Sequence, residues 1–424
     1  MQRNDTLYQN YLEILNEELI PAMGCTEPIA IAYCASKLRE CLGFPPQKID
    51  VLVSGNILKN VKSVIVPHTN GLHGIEAAVG VGIIAGNPDK ELEVISEVTS
   101  EQISELHAYL KVTPIKIKAS HNEHTLYVEL TGYHEDQFAR VIIRDSHTHV
   151  YLIEKNGVVI QKREVENKRN AKNTDKTILS VEKIYDFANT CLIEDVKPIL
   201  DRQIKCNMSI STEGINNKYG ANIGATILKY CPNDLMTYCK ALAAAGSDAR
   251  MNGCNMPVVI NSGSGNQGLT ASVPVIAYAQ KTNKPEELLY RALVLSNLCT
   301  THVKNNIGKL SAYCGVVIAG SCSGAAIAYL EGGDLEQLSN TIVNSLAIIS
   351  GVVCDGAKSS CAAKIASSVE AGFLGYYMSK EGNNFFSGDG IVKHGVEKTI
   401  EAVGKLARVG MCETDKEIIH IMLD

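Results

Sequence analysis

Residues 310–330, LSAYCGVVIAGSCSGAAIAYL, carry no charged side chain. A run of that length either crosses a bilayer or forms a helix buried on every side inside a large domain. Its make-up decides between them. The run is rich in Gly, Ala, Ser and Cys rather than Leu and Phe, and Lys309 is the only basic residue at its edges, so it reads as a buried helix.

The rest of the composition agrees with a globular protein. At 424 residues, 45% hydrophobic and 20% charged, the chain can bury a sizeable core and divide into two domains. A net charge of −6 with no long basic run argues against nucleic acid or an anionic membrane as a partner. The N-terminus MQRNDTLYQN has neither the apolar core nor the small-residue cleavage site of a signal peptide, so a cytoplasmic location is expected. In a reducing compartment the 14 cysteines are free thiols, most of them serving as small buried hydrophobes.

Helical spacing of apolar residues runs from Leu7 to Ile20, and a second helix runs from near Pro28 to Gly43. KIDVLVS and VKSVIVP read as strands, followed by a Gly/Ala-rich helix near 71–86 and another near 100–110. TPIKIKA, HTLYVELTG, ARVIIRD and GVVIQ alternate as strands do. Residues 163–177, REVENKRNAKNTDKT, are almost wholly polar, as a solvated linker is. Beyond them nearly everything reads as helix. The expected fold is α+β: a mixed α/β domain over 1–165 whose first helices carry Cys25, then an all-helical domain over 178–424.

Several stretches carry chemistry. In AMGCTEP, Thr26 suits an N-cap and Pro28 the first helical turn, which leaves Cys25 just ahead of a helix N-terminus, where the dipole favours a thiolate. The same local sequence equally describes a small buried cysteine at a turn. NSGSGNQG at 261–268 precedes an apolar helix, and its turns and the side chains of Ser262, Ser264, Asn266 and Gln267 beside Gly263 suit a carboxylate or phosphate. SGNILKN offers Ser54, Asn56, Lys59 and Asn60 as a second loop of that kind. The SGNQG segment also resembles the substrate-carboxylate loop of pyridoxal-phosphate lyases, but the Schiff-base lysine in a Ser-x-Lys setting and the later glycine run that those enzymes need are both missing. His147 and His149 in DSHTHVYLIEK lie at the end of a strand run and point one way; with no third ligand placed beside them, a surface or substrate-contacting role fits better than zinc. Asp248 and Arg250 in SDAR read most simply as an ion pair at a helix end.

The stretch SGVVCDGAKSSC sets Cys354 and Cys361 seven residues apart. In one continuous helix that spacing rises roughly 10 Å, while two sulfurs on a single zinc lie no more than about 4.6 Å apart. Either the two are unrelated, or the chain folds back at Asp-Gly and aims both at something larger than one ion. Cys314 in SAYCGVV makes a third thiol beside a glycine or helix start, and Ser359 or Ser360 can cap the helix that Cys361 begins. Three thiolates and a vacancy suit a cubane iron–sulfur cluster whose fourth iron stays open, although the spacing alone is only suggestive.

Taken together, GCTEP, SGNILKN, SDARM, NSGSGNQG and CDGAKSSC resemble, in order and over nearly the whole chain, the iron–sulfur-dependent L-cysteine desulfidases. These belong with the UPF0597, serine dehydratase alpha-chain-like proteins. The resemblance implies a [4Fe-4S] cluster held by Cys314, Cys354 and Cys361, and a catalytic cysteine at Cys25. One departure is VPHTNG, where relatives carry glycine at the position of His68, so no family role passes to His68. The implied activity is α,β-elimination of L-cysteine to hydrogen sulfide, ammonia and pyruvate, with Cys25 as base and Lys59 and the Asn/Ser loops holding the carboxylate. Iron–sulfur L-serine dehydration is the alternative within the family. A non-catalytic iron–sulfur sensor or sulfur carrier is the alternative outside it, and self-association into a homo-oligomer stays open.

Overall fold

In KIDVLVS every second residue is apolar, and the stretch becomes the strand around which the N-terminal half is built. The computed structural model describes residues 1–120, 122, 124–163, 174–308 and 311–423. In chain order its first elements are α1 (Thr6–Glu18), β1 (Pro21–Met23), α2 (Thr26–Leu42), β2 (Lys48–Ser54), α3 (Gly55–Val61), α4 (Gly74–Ala85) and α5 (Ser100–Val112). Then come β3 (Ile115–Ser120), β4 (Tyr127–His134), β5 (Gln137–Arg144), β6 (Val150–Lys155) and β7 (Val158–Lys162). The six longer strands form one sheet in the order β3-β2-β4-β5-β6-β7, with β2 parallel to β3 and every other pairing antiparallel. Ile49, Val51 and Val53 of β2 and Val128 and Leu130 of β4 are buried. Helix α2 lies across β4 and β5, and α4 packs on α2 so closely that a Cβ on Gly82 would stand 2.2 Å from the Ala32 carbonyl oxygen. Gly43 closes α2 in the left-handed conformation that glycine reaches without strain.

The second half is mostly helical: α6 (Val181–Thr190), α7 (Ile193–Asn216), α8 (Ile223–Tyr230), α9 (Leu235–Met251), β8 (Pro257–Val259), α10 (Gly265–Lys281), α11 (Glu286–Ile307), α12 (Gly315–Leu330), α13 (Leu335–Ile349), α14 (Cys361–Lys380), α15 (Val396–Lys405) and α16 (Cys412–Leu423). The uncharged run at 310–330 becomes α12, buried from Val316 to Leu330. Among the described residues no helix is long and apolar enough to cross a membrane. The reason for its small residues is visible against α14. A Cβ on Gly320 would lie 2.4 Å from the Ser368 carbonyl oxygen, and one on Gly372 would lie 2.2 Å from that of Gly320. Backbone meets backbone there.

Several expectations change. VKSVIVP forms no strand: Val61 ends α3, and Ile65 makes only isolated bridges to His73 and Asn252. SGNILKN is not a loop, because Gly55–Val61 is helical. The histidines of DSHTHV sit in a turn between β5 and β6 rather than on a strand, and β6 itself went unforeseen, as did the short β1 and β8. Most of the polar stretch at 163–177, together with Lys309, lies outside the described residues.

The α12–α14 contact gives a first prediction. A methyl at Gly372 must push two backbones apart, an overpacking loss of typically 1–3 kcal/mol that outweighs the ~1 kcal/mol of helix propensity alanine brings. Gly372→Ala should therefore lower the denaturant midpoint of unfolding, and an unchanged midpoint would show that the two helices separate there freely.

Candidate functional site: four helix starts around three thiols

The stretches GCTEP and NSGSGNQG are more than 200 residues apart, and a short ladder joins them. Strand β1 pairs antiparallel with β8, Pro21 opposite Val259 and Met23 opposite Pro257, and this three-residue ladder is short enough that the segments leaving its two ends meet, Thr26 with Gly263. On one side α2 starts with Cys25 as its N-cap; Thr26, expected as the cap, is the first helical residue instead. Its hydroxyl lies 3.0 Å from the Gly263 carbonyl oxygen and 3.1 Å from Glu27 Oε2. On the other side Ser264 caps α10, accepting from the Gln267 N–H. His147 reaches in from the β5–β6 turn, its Cε1 3.5 Å from where a Cβ on Gly263 would stand.

Glu27 is the hub of this corner. The Cys25 thiol donates to its Oε2 at 3.0 Å, and Asn60 Nδ2 donates to its Oε1 at 3.0 Å. Burial alone would raise the Glu27 pKa, but His147, the thiol hydrogen bond and Arg250 together hold it below the usual value. For Cys25 the balance is reversed from the sequence expectation. Burial first and the Glu27 charge next push the thiol well above its ordinary value, against the pull of Arg250, so the chain's own groups keep Cys25 protonated. A helix dipole is a weak term beside desolvation and an adjacent carboxylate.

The chain does fold back at Asp355-Gly356. Tyr313 and Val353 form an antiparallel bridge, with Cys314 N–H donating to Val352 O at 3.0 Å and Cys354 N–H to Ala312 O at 2.6 Å, which sets the two cysteines diagonally across the bridge on one face. Gly356 then takes a φ of 88° and lies against α3, where a Cβ would meet the Lys59 carbonyl oxygen at 2.2 Å. The turn delivers Cys361 to the start of α14, its Sγ 3.7 Å from Gly356 O and packed against the group formed by Cys25, Val64 and Met251. Neither serine hydroxyl caps α14, since Ser360 makes no cap bond and Ser359 donates to Asn252. Asp355 is held by Lys358 and Lys364.

The three thiols sense one another. Cys314 is pushed up to about 12 by burial and then by Cys354, with Cys361 adding to it; Cys361 is raised by burial first, with Cys354 also contributing. Among the described residues no three His, Cys, Asp or Glu side chains converge tightly enough to hold one metal ion. A four-iron cluster asks for less convergence, because each thiolate binds a different iron. The donor set fits such a group: soft ligands, a cation at Lys364, and the N-termini of α12 and α14 at Cys314 and Cys361.

Comparison with known proteins bears on what this arrangement is for. The Serine dehydratase alpha chain family profile matches residues 89–420. A UPF0597 protein of Desulfitobacterium hafniense is 55% identical over 100% of this chain and 99% of its own length. UPF0597 proteins of Lachnoclostridium phytofermentans, 48% identical over 99% of this chain and 100% of their own, and Treponema denticola, 45% identical over 100% of both, are similar throughout as well. The chain belongs to the UPF0597, serine dehydratase alpha-chain-like family.

In this family member the other foreseen residues are placed as follows. Asn56 Oδ1 and Gln267 Oε1 are buried without a hydrogen-bond partner among the described residues, while Gln267 Nε2 donates to Asn261 Oδ1. Gln267 Oε1 is 2.4 Å from where a Cβ on Gly315 would be, which ties the start of α10 to the start of α12. Ser54 donates to Thr125 O and Ser262 to Asn261 Oδ1. Lys59 is buried and ion-paired with Asp415 of α16 at 2.5 Å. Asp248 and Arg250, two apart on α9, face different ways and make no ion pair: Asp248 accepts from Gly224 N–H, and Arg250 donates to Asn266 Oδ1 at 3.1 Å. His149 bonds Arg144 O, and His68 takes a left-handed φ of 58°, the conformation a glycine at that position supplies without strain.

Glu27, Arg250 and Lys304 of α11 are the members of the site that sequence reasoning passed over as functional. Glu27 lies in GCTEP and could have been noticed there; Lys304 stands in LCTTHVKNN, with no local signal.

The Cys25–Glu27 pair gives a second prediction. Removing the carboxylate charge lowers the thiol's pKa, so in Glu27→Gln the pH midpoint for alkylation of Cys25 by iodoacetamide, followed by peptide mass spectrometry, should move down while the plateau rate holds. A midpoint that stays put would mean that Glu27 does not keep Cys25 protonated.

Proposed function

We propose that this protein is a carbon–sulfur lyase that eliminates hydrogen sulfide from L-cysteine. The observation that carries the reading is that Cys361, one of three thiols approached by a backbone bridge and a tight turn, packs on the small apolar group that contains Cys25, whose thiol donates to Glu27. A base at that spot stands beside the place where a leaving sulfur would depart. Cys314, Cys354 and Cys361 are the residues that would hold a [4Fe-4S] cluster. When bound, the cluster supplies an open iron, a Lewis acid for the departing sulfur.

The chain's own groups do the rest. Passing the Cys25 Sγ proton to Glu27 Oε2, 3.0 Å away, leaves a thiolate that Arg250 stabilises. The thiolate accepts the Cα proton of cysteine. The C–H electron pair forms the Cα–Cβ double bond, the Cβ–S pair leaves with sulfur as hydrosulfide, and transfer of the Glu27 proton to it releases hydrogen sulfide and restores the carboxylate. The product, 2-aminoacrylate, tautomerises to an imine that water hydrolyses to pyruvate and ammonia. The start of α10, with Ser264 and Gln267, and the buried Asn56 are the polar groups on offer to the substrate, Gln267 Oε1 and Asn56 Oδ1 having no hydrogen-bond partner among the described residues.

A second reading, L-serine dehydration by the same residues, is favoured by the match to the serine dehydratase alpha chain over residues 89–420. The two are separated by anaerobic assay of the reconstituted protein. Cysteine should yield sulfide and pyruvate in equal amounts, faster than serine yields pyruvate; a preference for serine selects the second reading, and no product from either overturns both.

The thiol assignment has its own check. Cys354→Ala should lose iron, whereas Cys322→Ala, fully buried inside α12, should keep it. Cys25→Ser should keep iron and fold while losing about 100- to 10,000-fold in rate, the usual contribution of a positioned base. Iron at the wild-type level in Cys354→Ala would remove that residue from the ligand set.

A further inference from the structure

Lys304 is the buried cation that the reading above leaves without a task. It stands in the last turn of α11 and is 9% exposed. Among the described residues its ammonium makes neither a hydrogen bond nor an ion pair. The other lysines around the site are occupied, Lys59 by Asp415 and Lys364 by Asp355. A buried lysine without an acceptor is an unfavourable place for a cation, so a position of this kind persists where an anion arrives to meet it.

The stripe that α11 turns towards the site shows where that anion would be. Asn297, Thr301 and Lys304 fall at i, i+4 and i+7, on one face of the helix. Asn297 bonds Asn261 through both its carbonyl oxygen and its Oδ1, and the Thr301 hydroxyl is 3.5 Å from Asn261 Oδ1. Asn261 also accepts from Ser262 and Gln267 of the glycine-rich loop. One turn further on, Lys304 has Cys354, Cys314 and Glu27 as its electrostatic neighbours, along with Lys59. It therefore follows the face of α11 that meets the loop and has the thiols among its neighbours.

We propose that Lys304, rather than Lys59, receives the carboxylate of the amino-acid substrate. The assignment rests on the amino-acid lyase reading and deepens it. A competing role is also physical: the same ammonium could serve only to balance the negative charge of the cluster thiolates.

The test uses the anaerobically reconstituted full chain and two small probes, 3-mercaptopropionate, with a thiol and a carboxylate, and cysteamine, with a thiol and an ammonium. Binding is read by calorimetry on wild type, Lys304→Met, Lys304→Arg and Lys59→Met, with iron content and melting temperature measured on each. Loss of a charge-assisted hydrogen bond predicts that Lys304→Met binds 3-mercaptopropionate about 10- to 100-fold more weakly, with iron content unchanged and cysteamine binding within about 2-fold. Lys304→Arg should recover part of the loss, and Lys59→Met should leave 3-mercaptopropionate binding near wild type. If Lys304→Met binds 3-mercaptopropionate like wild type, or loses iron, or weakens both probes equally, the carboxylate assignment is overturned and the amino-acid reading stands. If wild type binds neither probe, that reading falls as well.

Discussion

Four helices begin at one place. Cys25 opens α2, Ser264 opens α10, Cys314 opens α12 and Ser360–Cys361 open α14; Thr26 meets Gly263, Gln267 lies against Gly315, and Cys361 packs on the group formed by Cys25, Val64 and Met251, which holds the four starts together. Each helix start leaves backbone N–H groups without an intrahelical partner and carries a partial positive charge. Gathering four of them inside a protein is unfavourable unless anions collect there; the chain itself provides the Glu27 carboxylate, and the three thiols become anions only when a group binds them as thiolates. Because helix starts attract thiolates and carboxylates alike, one electrostatic device would serve both the proposed thiolate-bound cluster and the carboxylate of the proposed substrate.

The rest of the fold keeps those starts in register. The β1–β8 ladder sets α2 against α10, and the glycine contacts between α12 and α14 fix the separation of the helices that carry Cys314 and Cys361. The bridge between Tyr313 and Val353 adds Cys354, and Gly356 packs on the Lys59 backbone so that α3 closes the group from the N-terminal half. The six-stranded sheet takes no direct part; it supports α2 from below and presents His147 on a turn. The site is thus shared between segments from both halves of the chain.

What was legible in the sequence follows from how local each signal is. The helix starts after Cys25 and after the glycine-rich loop, and the fold-back at Asp355-Gly356, are properties of a few adjacent residues and were legible, although the cap of α2 is Cys25 rather than Thr26. Strand β2 and the buried α12 were legible because their periodicity, or the lack of it, persists over a whole element. SGNILKN misled because its Ser-Gly-Asn start imitates a turn, while Ile57 and Val61 pack into the core at helical spacing. The pairing of β1 with β8 and the place of Lys304 depend on partners distant in sequence. The state of Cys25 was misjudged for the same reason: the dipole is local, whereas the burial that outweighs it is tertiary.

The central claim is that Cys314, Cys354 and Cys361 hold a four-iron cluster and leave one iron for substrate. Mössbauer spectroscopy of the anaerobic, iron-57-reconstituted protein, recorded with and without L-cysteine, tests it directly. The account predicts a cluster in which one iron in four differs from the rest and shifts when cysteine is added. Four irons that stay equivalent and indifferent to cysteine, or a protein that takes up no cluster, would contradict it.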